Sequence, residues 1–140
     1  MYPKPHIILG AVCSVLLYFI FHLTIIQSLV VFLASFLIDV DHYIFYVNKK
    51  KDFSLKNAYK WFHEYSKSKN QKPMIVFFHT IEFLIIISVL SFYLHIFLFI
   101  LIGMLFHSIL DIIDLGYHRV IHLREFSFII WLFSDKRKYC

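Results

Sequence analysis

Acidic side chains lie inside strongly apolar segments of this chain, and that placement limits the folds open to it. Five of the nine acidic residues fall in such segments, and in three segments a histidine lies beside the acid. The three groups are Asp39, Asp41 and His42; His79 and Glu82; and His107, Asp111 and Asp114. An isolated carboxylate in hydrocarbon costs about 2.5 to 3.5 kcal/mol even on insertion scales. Three groups of the same chemistry therefore indicate one shared site inside the fold.

The composition is too apolar for a soluble domain of this size. Of the 140 residues, 60% are hydrophobic and 17 are phenylalanine. A single small globule has too little interior to bury these side chains, whereas a bilayer supplies the missing burial. The two cysteines, Cys13 and Cys140, lie far apart in the sequence and predict neither a disulfide framework nor a zinc knuckle.

Four apolar segments are long enough to cross a hydrocarbon core, which takes about 20 residues of helix. They cover residues 5–26, 29–47, 74–94 and 95–115, and only Gln27 and Ser28 separate the first two. Short connections of this kind join antiparallel neighbours. The sequence therefore predicts an all-α integral membrane four-helix bundle, built from two helical hairpins, as a single membrane domain over residues 1–140.

Basic residues are confined to one side of the predicted bundle. Eight of the fourteen Lys and Arg residues lie in the loop 48–72, and the others are Lys4 and five residues after the fourth helix. The two short turns carry none. By the positive-inside rule, this loop and both termini are cytoplasmic, in a protein of the cell membrane. This distribution argues against nucleic acid as a partner, and it leaves open whether the protein forms a homo-oligomer.

Two polar regions carry apolar patterns of their own. In the basic loop, one helical face holds Leu55, Ala58, Tyr59, Phe62 and Tyr65, and lysines occupy another. This pattern predicts a cytoplasmic amphipathic helix whose lysines bind the anionic headgroups of membrane lipids; the alternative is a solvated connector packed on the bundle. In the cytoplasmic tail 116–140, the apolar run 126–133 is too short to span and predicts a C-terminal interfacial segment.

The predicted topology brings the three groups of acids and histidines to one depth. The second and fourth helices run towards the cytoplasm and the third starts there, so each group lies near the cytoplasmic face. Spacings of i,i+3 or i,i+4 place two side chains of each group on one helical face. Asp41 joins Asp39 only if the helix ends or unwinds there. Four further residues are left open as members of the site: Asp114, His6, His118 and His122.

Imidazole and carboxylate groups in this number favour a divalent metal. Zinc suits them best, with manganese or iron as alternatives, and one or two ions would use them. The predicted ligands are Asp39, Asp41, His42, His79, Glu82, His107 and Asp111. Glu82 and Asp41 are the predicted catalytic carboxylates, with Glu82 as a ligand or as the general base that accepts a proton from metal-bound water.

Other functions are compatible with the same residues. Buried histidine–carboxylate pairs also form structural hydrogen-bond networks, and they line proton or metal-ion paths in transporters. A path needs polar groups on both sides of the membrane, and the outer half of each predicted helix has no acidic residue. A non-enzymatic metal-binding or ion-translocating protein is the main alternative to an enzyme, and a membrane scaffold or lipid-binding partner is the third.

At these residues the chain resembles the small membrane-bound metal-dependent hydrolases typified by a LexA-regulated bacterial inner-membrane protein. The resemblance covers about residues 35–115 and rests on Asp39-Val-Asp41-His42, on His79 with Glu82, and on His107 with Asp111. Many members carry a second histidine where this chain has Glu82, so it resembles a divergent branch with an altered metal preference. The ligands are also similar in character to those of zinc-dependent phospholipase C. The resemblance therefore implies metal-dependent hydrolysis of a phosphoester, and the depth of the site favours a phospholipid or other lipid-linked substrate in the cytoplasmic leaflet.

Overall fold

A computed structural model describes residues 3–67 and 74–134 of the chain. Within these ranges the fold is all-α apart from one short ladder of two strands. The remaining parts of the predicted basic loop and tail, together with Cys140, lie outside the described residues.

Seven helices and two strands follow one another along the described residues. They are α1 (Pro3–Phe21), α2 (Ile25–Leu37), α3 (Val40–Lys50), α4 (Leu55–Lys67), β1 (Met74–Ile75), α5 (Ile81–Tyr93), α6 (Ile96–Tyr117), β2 (Arg124–Glu125) and α7 (Phe128–Phe133). Two single turns of 3-10 helix, Phe77–His79 and Ile121–Leu123, precede α5 and β2.

Two helical stretches are long and apolar enough to cross a membrane. One is Ile25–Lys50, which contains α2 and α3, and the other is α6. Helix α5 has 13 residues and is about 20 Å long, less than the ~30 Å of a hydrocarbon core. Its C-terminal end, like that of α1, exposes large apolar side chains, among them Phe92 at 86% and Phe19 at 68%. Exposed apolar surface of this kind is typical of a face covered by lipid or by a partner.

The first hairpin turns earlier than the sequence predicts. Helix α1 ends at Phe21 and α2 begins at Ile25, so Gln27 lies inside the second helix. Thr24 is the reason: its Oγ1 accepts the Gln27 N–H at 3.2 Å, and the Gln27 side chain accepts the Thr24 N–H at 2.8 Å. This reciprocal capping box starts the helix before the polar pair that the prediction assigned to the turn.

The third predicted helix is shorter than expected because its first residues are not α-helical. Residues 74–75 form β1, which pairs in parallel with β2 through Met74 and Arg124. The 3-10 turn Phe77–His79 follows, and α5 begins at Ile81 with Thr80 as its N-cap. The ladder ties the segment after α6 to the start of α5, beside the residues that form the site.

Helix α6 lies at the centre of the fold and packs against α2, α5 and α1. Ile38, Ile87 and Met104 form the buried core between these helices. At Gly103, α6 approaches α2 so closely that an added Cβ would meet the carbonyl oxygen of Val31. Small residues allow this kind of backbone approach between helices in membranes.

Gly103→Ala is expected to push α6 away from α2, since a backbone carbonyl cannot yield as a flexible side chain does. Overpacking of this kind costs about 1 to 3 kcal/mol, and it would also displace His107, one turn further along α6. We expect a lower unfolding temperature and weaker metal binding than in the wild type. Gly116→Ala is the matched control on the same helix, because nothing lies within 4 Å of its added Cβ. Equal stability of the two variants would contradict this packing.

Candidate metal centre

Four side chains from separate parts of the chain meet at one end of the helices. Asp39 lies in the break between α2 and α3, His79 in the turn before α5, and His107 and Asp111 in the second half of α6. Each offers one ligand atom, and these atoms all lie within 4.8 Å of one another. His79, His107 and Asp111 are buried, and Asp39 is partly exposed. This group is named the four-residue cluster below.

The distances within the cluster match a tetrahedral metal site. The two Nε2 atoms of His79 and His107 lie 3.1 Å apart. Asp111 Oδ2 lies 3.4 Å from Nε2 of His107 and 3.6 Å from that of His79, and Asp39 Oδ1 lies 3.4 and 3.7 Å from the same two atoms. Ligands about 2.05 Å from a tetrahedral zinc are about 3.3 Å from one another. The donor atoms therefore already surround a position of the right size for one ion.

Hydrogen bonds on the far side of both imidazoles fix which nitrogen faces the cluster. His107 Nδ1 donates to the carbonyl oxygen of Ser35 at 2.7 Å, because a carbonyl can only accept. His79 Nδ1 lies 3.1 Å from Asp41 Oδ2, which also accepts the Phe78 N–H. In neutral rings, both Nε2 atoms then carry lone pairs, and the two atoms lie 3.1 Å apart. Either a proton shared between the rings or a bound cation would relieve the repulsion between these lone pairs.

Asp41 and His42 support the cluster from one side. With His79 they form a second group of possible ligands. Asp41 Oδ1 lies 3.0 Å from His42 Nδ1, and the same nitrogen lies 3.3 Å from Asp39 Oδ1. Asp41 reaches the site because α2 ends at Leu37 and a new helix begins at Val40, which is the helix break that the sequence required for Asp39 and Asp41 to converge.

Asp111 is held from two further directions. His6, near the start of α1, places its Nε2 3.2 Å from Asp111 Oδ1 and stacks on His107 with ring centroids 4.4 Å apart. Arg124, the first residue of β2, donates from Nη1 to Asp111 Oδ2. The sequence left His6 open as a member of the site and gave no position for Arg124. The structure brings both into direct contact with the cluster.

The charges near the cluster favour a divalent ion. Asp39, Asp41 and Asp111 contribute three negative charges when ionised, and Arg124 contributes one positive charge. A divalent cation would bring this set to neutrality with the four neighbouring imidazoles, those of His6, His42, His79 and His107, all uncharged. Buried charge is tolerated when it is paired or bound to metal, so the residues present fit such an ion in number, type and charge.

A cavity of about 220 Å³ opens beside the cluster. Asp39 and His42 line it at the cluster, and Arg124 is also in its wall. Asp39 is the cluster member that reaches this space, with 26% of its side chain accessible.

Helix α4 forms one wall of the cavity. The apolar face that the sequence predicts for it contributes all five of its members, Leu55, Ala58, Tyr59, Phe62 and Tyr65. The loop before α4 is ordered by Asp52, which accepts from the Tyr46 hydroxyl at 2.6 Å and from the Asn57 amide at 2.9 Å. These hydrogen bonds, that of Tyr46 above all, hold the pKa of the Asp52 carboxyl below its ordinary value.

Glu82 lies apart from the cluster. Its carboxylate accepts from the hydroxyl of Ser127 and from the backbone N–H groups of Phe128, at 3.0 Å, and Ile129, at 3.2 Å. Glu82 therefore caps the start of α7. The prediction treated His79 and Glu82 as neighbours on one continuous helix, but the chain changes from a 3-10 turn to α-helix between them. Glu82 is not among the grouped ligand atoms of the described residues, and its role as a ligand or general base stays a prediction.

The other residues left open also lie away from the cluster. Asp114 pairs with His118, with Oδ1 and Nδ1 3.4 Å apart and both side chains substantially exposed. His122 is exposed in the 3-10 turn that follows α6. The two acidic residues of α6 thus face in different directions, Asp111 towards the cluster and Asp114 towards the surface.

Comparisons with known proteins assign no family to this chain. No model of a protein family, no curated protein and no solved structure matches it. The resemblance of its motifs to membrane-bound metal-dependent hydrolases stays a prediction, and a functional assignment depends on the site itself.

Proposed function

We propose that this protein is a membrane-embedded metal-dependent hydrolase that acts on a phosphoester at the cytoplasmic leaflet. The observation that carries the proposal is the four-residue cluster, whose ligand atoms lie 3.1 to 3.7 Å apart in the pairs described. Its member Asp39 lines the neighbouring cavity. Asp39, His79, His107 and Asp111 would hold one ion, zinc in preference to manganese or iron, since two nitrogen and two oxygen donors at tetrahedral spacing suit it. A metal-bound water needs a coordination position beyond these four side chains. When bound, the metal would supply a Lewis acid and, where its coordination expands beyond four, a polarised water.

The membrane placement belongs to the same proposal. The start of α1, the end of α2, the start of α5 and the end of α6 all lie at the cluster, as expected for a four-helix bundle with its site at one face. The excess of Lys and Arg near these ends supports a cytoplasmic position for that face. The lysines of α4 would then meet anionic headgroups, while its apolar face lines the cavity.

His42 takes the role of proton acceptor in this proposal. Its Nδ1 lies within 3.3 Å of carboxylate oxygens of both Asp39 and Asp41, which orient the ring and leave Nε2 as the basic nitrogen. The ring lines the cavity next to Asp39. Asp41, predicted as a catalytic carboxylate, instead orients His42 and His79 through its two oxygens.

Hydrolysis of phosphoesters by purified, metal-loaded protein in lipid nanodiscs tests this function. We expect zinc-dependent turnover of bis-p-nitrophenyl phosphate or of a phospholipid. The release of the phosphorus-containing product measures this turnover. In His42→Gln, kcat should fall about 10²- to 10⁴-fold, the usual contribution of a general base, while the metal content stays at the wild-type value.

His118→Gln is the matched control, since this histidine is exposed and contacts Asp114 and the ring of Tyr117, both outside the four-residue cluster. It should retain wild-type turnover. Absence of hydrolysis in fully metal-loaded wild-type protein, across phosphomonoesters, phosphodiesters and phospholipids, would count against the enzyme and favour a metal-binding or ion-translocating protein.

A further inference from the structure

Arg124 has donors that the cluster does not use. Its Nη1 donates to Asp111, and only 7% of its side chain is accessible. Its Nε and Nη2 atoms are buried and have no hydrogen-bond partner among the described residues. The guanidinium also lies against the ring of Phe126, with Cζ 5.8 Å from the ring centroid. The group is thus fixed in place with two of its nitrogens unpaired.

The two unpaired nitrogens form one edge of the guanidinium. Nε–H and the adjacent Nη2–H point in parallel and match two oxygens of a phosphate or carboxylate. A buried donor left without a partner destabilises the protein, because it has lost its hydrogen bonds to water. Both nitrogens are inaccessible in this structure, and the side chain that carries them also lines the cavity. An anionic ligand that entered the cavity and displaced the atoms over this edge would complete both donors.

The rest of the cavity has a different chemistry. Leu115, Val120 and Leu123 form a buried apolar cluster on one side, and α4 contributes Ala58 and Phe62 on another. A free inorganic anion would leave these walls without contacts. A ligand with an anionic head and an apolar chain would satisfy both the guanidinium edge and the walls.

We propose that Arg124 and this cavity form a subsite for a phosphate-headed amphiphile, with the phosphate on the Nε–Nη2 edge and the chain against α4. The assignment of this ligand as the substrate rests on the proposed hydrolase. The geometry supports it, because Arg124 also contacts Asp111 and would hold the phosphate next to the four-residue cluster. The positive charge would bind the head without taking part in the reaction, so Arg124 is a positioning residue.

Native mass spectrometry of the full chain released from micelles tests the subsite with dodecyl phosphate as the probe. We expect dodecyl phosphate to bind more tightly than an uncharged dodecyl glucoside. Arg124→Lys keeps the charge but lacks the two-donor edge, so the dissociation constant should rise about tenfold or more. Arg119→Lys is the matched control, because Arg119 is an exposed arginine five residues away, and it should bind as the wild type does.

Binding of inorganic phosphate, measured in the same way, distinguishes a lipid headgroup from free phosphate as the ligand of this site. If the site takes a lipid headgroup, dodecyl phosphate binds much more tightly than inorganic phosphate. Ala58→Trp, which fills the cavity, should then abolish that difference, and Glu64→Trp on the exposed side of α4 should preserve it. Ala58→Met is the milder variant if the tryptophan prevents folding. Equal binding of both probes, unchanged in the Ala58 variants, would overturn the proposal that the ligand is an amphiphile.

Metal content measured on the same samples distinguishes a failure of the proposed subsite from a failure of the proposed hydrolase. Metal-loaded Arg124→Lys protein that binds dodecyl phosphate as the wild type does would overturn the subsite and leave the hydrolase standing. Protein that never holds metal, but whose dodecyl phosphate binding depends on Arg124, would support the subsite and overturn the hydrolase.

Discussion

Asp111→Asn is expected to remove the metal from the purified protein. The substitution keeps the size of the side chain but removes the charge from a fully buried ligand that lies 3.4 and 3.6 Å from the two Nε2 atoms of the cluster. It also leaves Arg124 without its carboxylate partner, so that positive charge would then repel an ion at the cluster. Elemental analysis should give about one equivalent of metal in the wild type and about a tenth or less in the variant.

Asp114→Asn is the matched control for this loss. It makes the same chemical change on the same helix, three residues later, at a carboxylate that is 35% exposed and pairs with His118. The variant should retain the full metal content. Loss of metal from both variants would indicate unfolding, and retention in both would indicate that the buried histidines and carboxylates form a hydrogen-bond network without metal.

Asp41→Asn is expected to weaken metal binding about 10- to 100-fold without changing the number of ions bound. Asp41 accepts from His79 Nδ1 at 3.1 Å and from the Phe78 N–H at 2.8 Å, so it orients a ligand from behind. Removal of such an orienting group usually costs this much affinity. Competition with a fluorescent chelator gives the dissociation constant, and titration to saturation gives the stoichiometry.

The same variant distinguishes one ion from two. If Asp41, His42 and His79 held a second metal, the wild type would bind two equivalents and Asp41→Asn would bind one. Asp52→Asn serves as the control, because this carboxylate lies in the loop before α4 and orders that loop through Tyr46 and Asn57. Its metal affinity should equal that of the wild type.

The convergence of the site could be predicted from the sequence because it depends on topology alone. Hydrophobic lengths and the position of the basic residues bring the end of one helix, the start of the next and the end of the last to one face. The structure confirms a buried cluster of Asp and His able to hold a metal, and Asp39, His79, His107 and Asp111 are its members. The apolar surroundings of these acids and histidines, together with the helix directions, were enough to find them.

Local backbone changes and helix packing account for the residues whose positions relative to the cluster the sequence did not predict. Glu82 lies outside the cluster because the chain changes from a 3-10 turn to an α-helix after His79. Helical periodicity in the sequence cannot show this change. Arg124 reaches the cluster through a parallel ladder of two residues, too short to leave a pattern in the sequence. The stacking of His6 on His107 depends on how α1 packs, which residue spacing along the chain does not encode.

X-ray absorption at the metal edge tests the central claim most directly. The account predicts a single ion with two imidazole nitrogens at about 2.0 to 2.1 Å and carboxylate oxygens at about 2.0 to 2.2 Å. His107→Ala protein, reloaded with zinc, should lose that signal. Three results would contradict a one-metal site formed by Asp39, His79, His107 and Asp111. They are sulfur scatterers, a second metal at about 3.5 to 4 Å, and wild-type protein that cannot be loaded with any divalent ion.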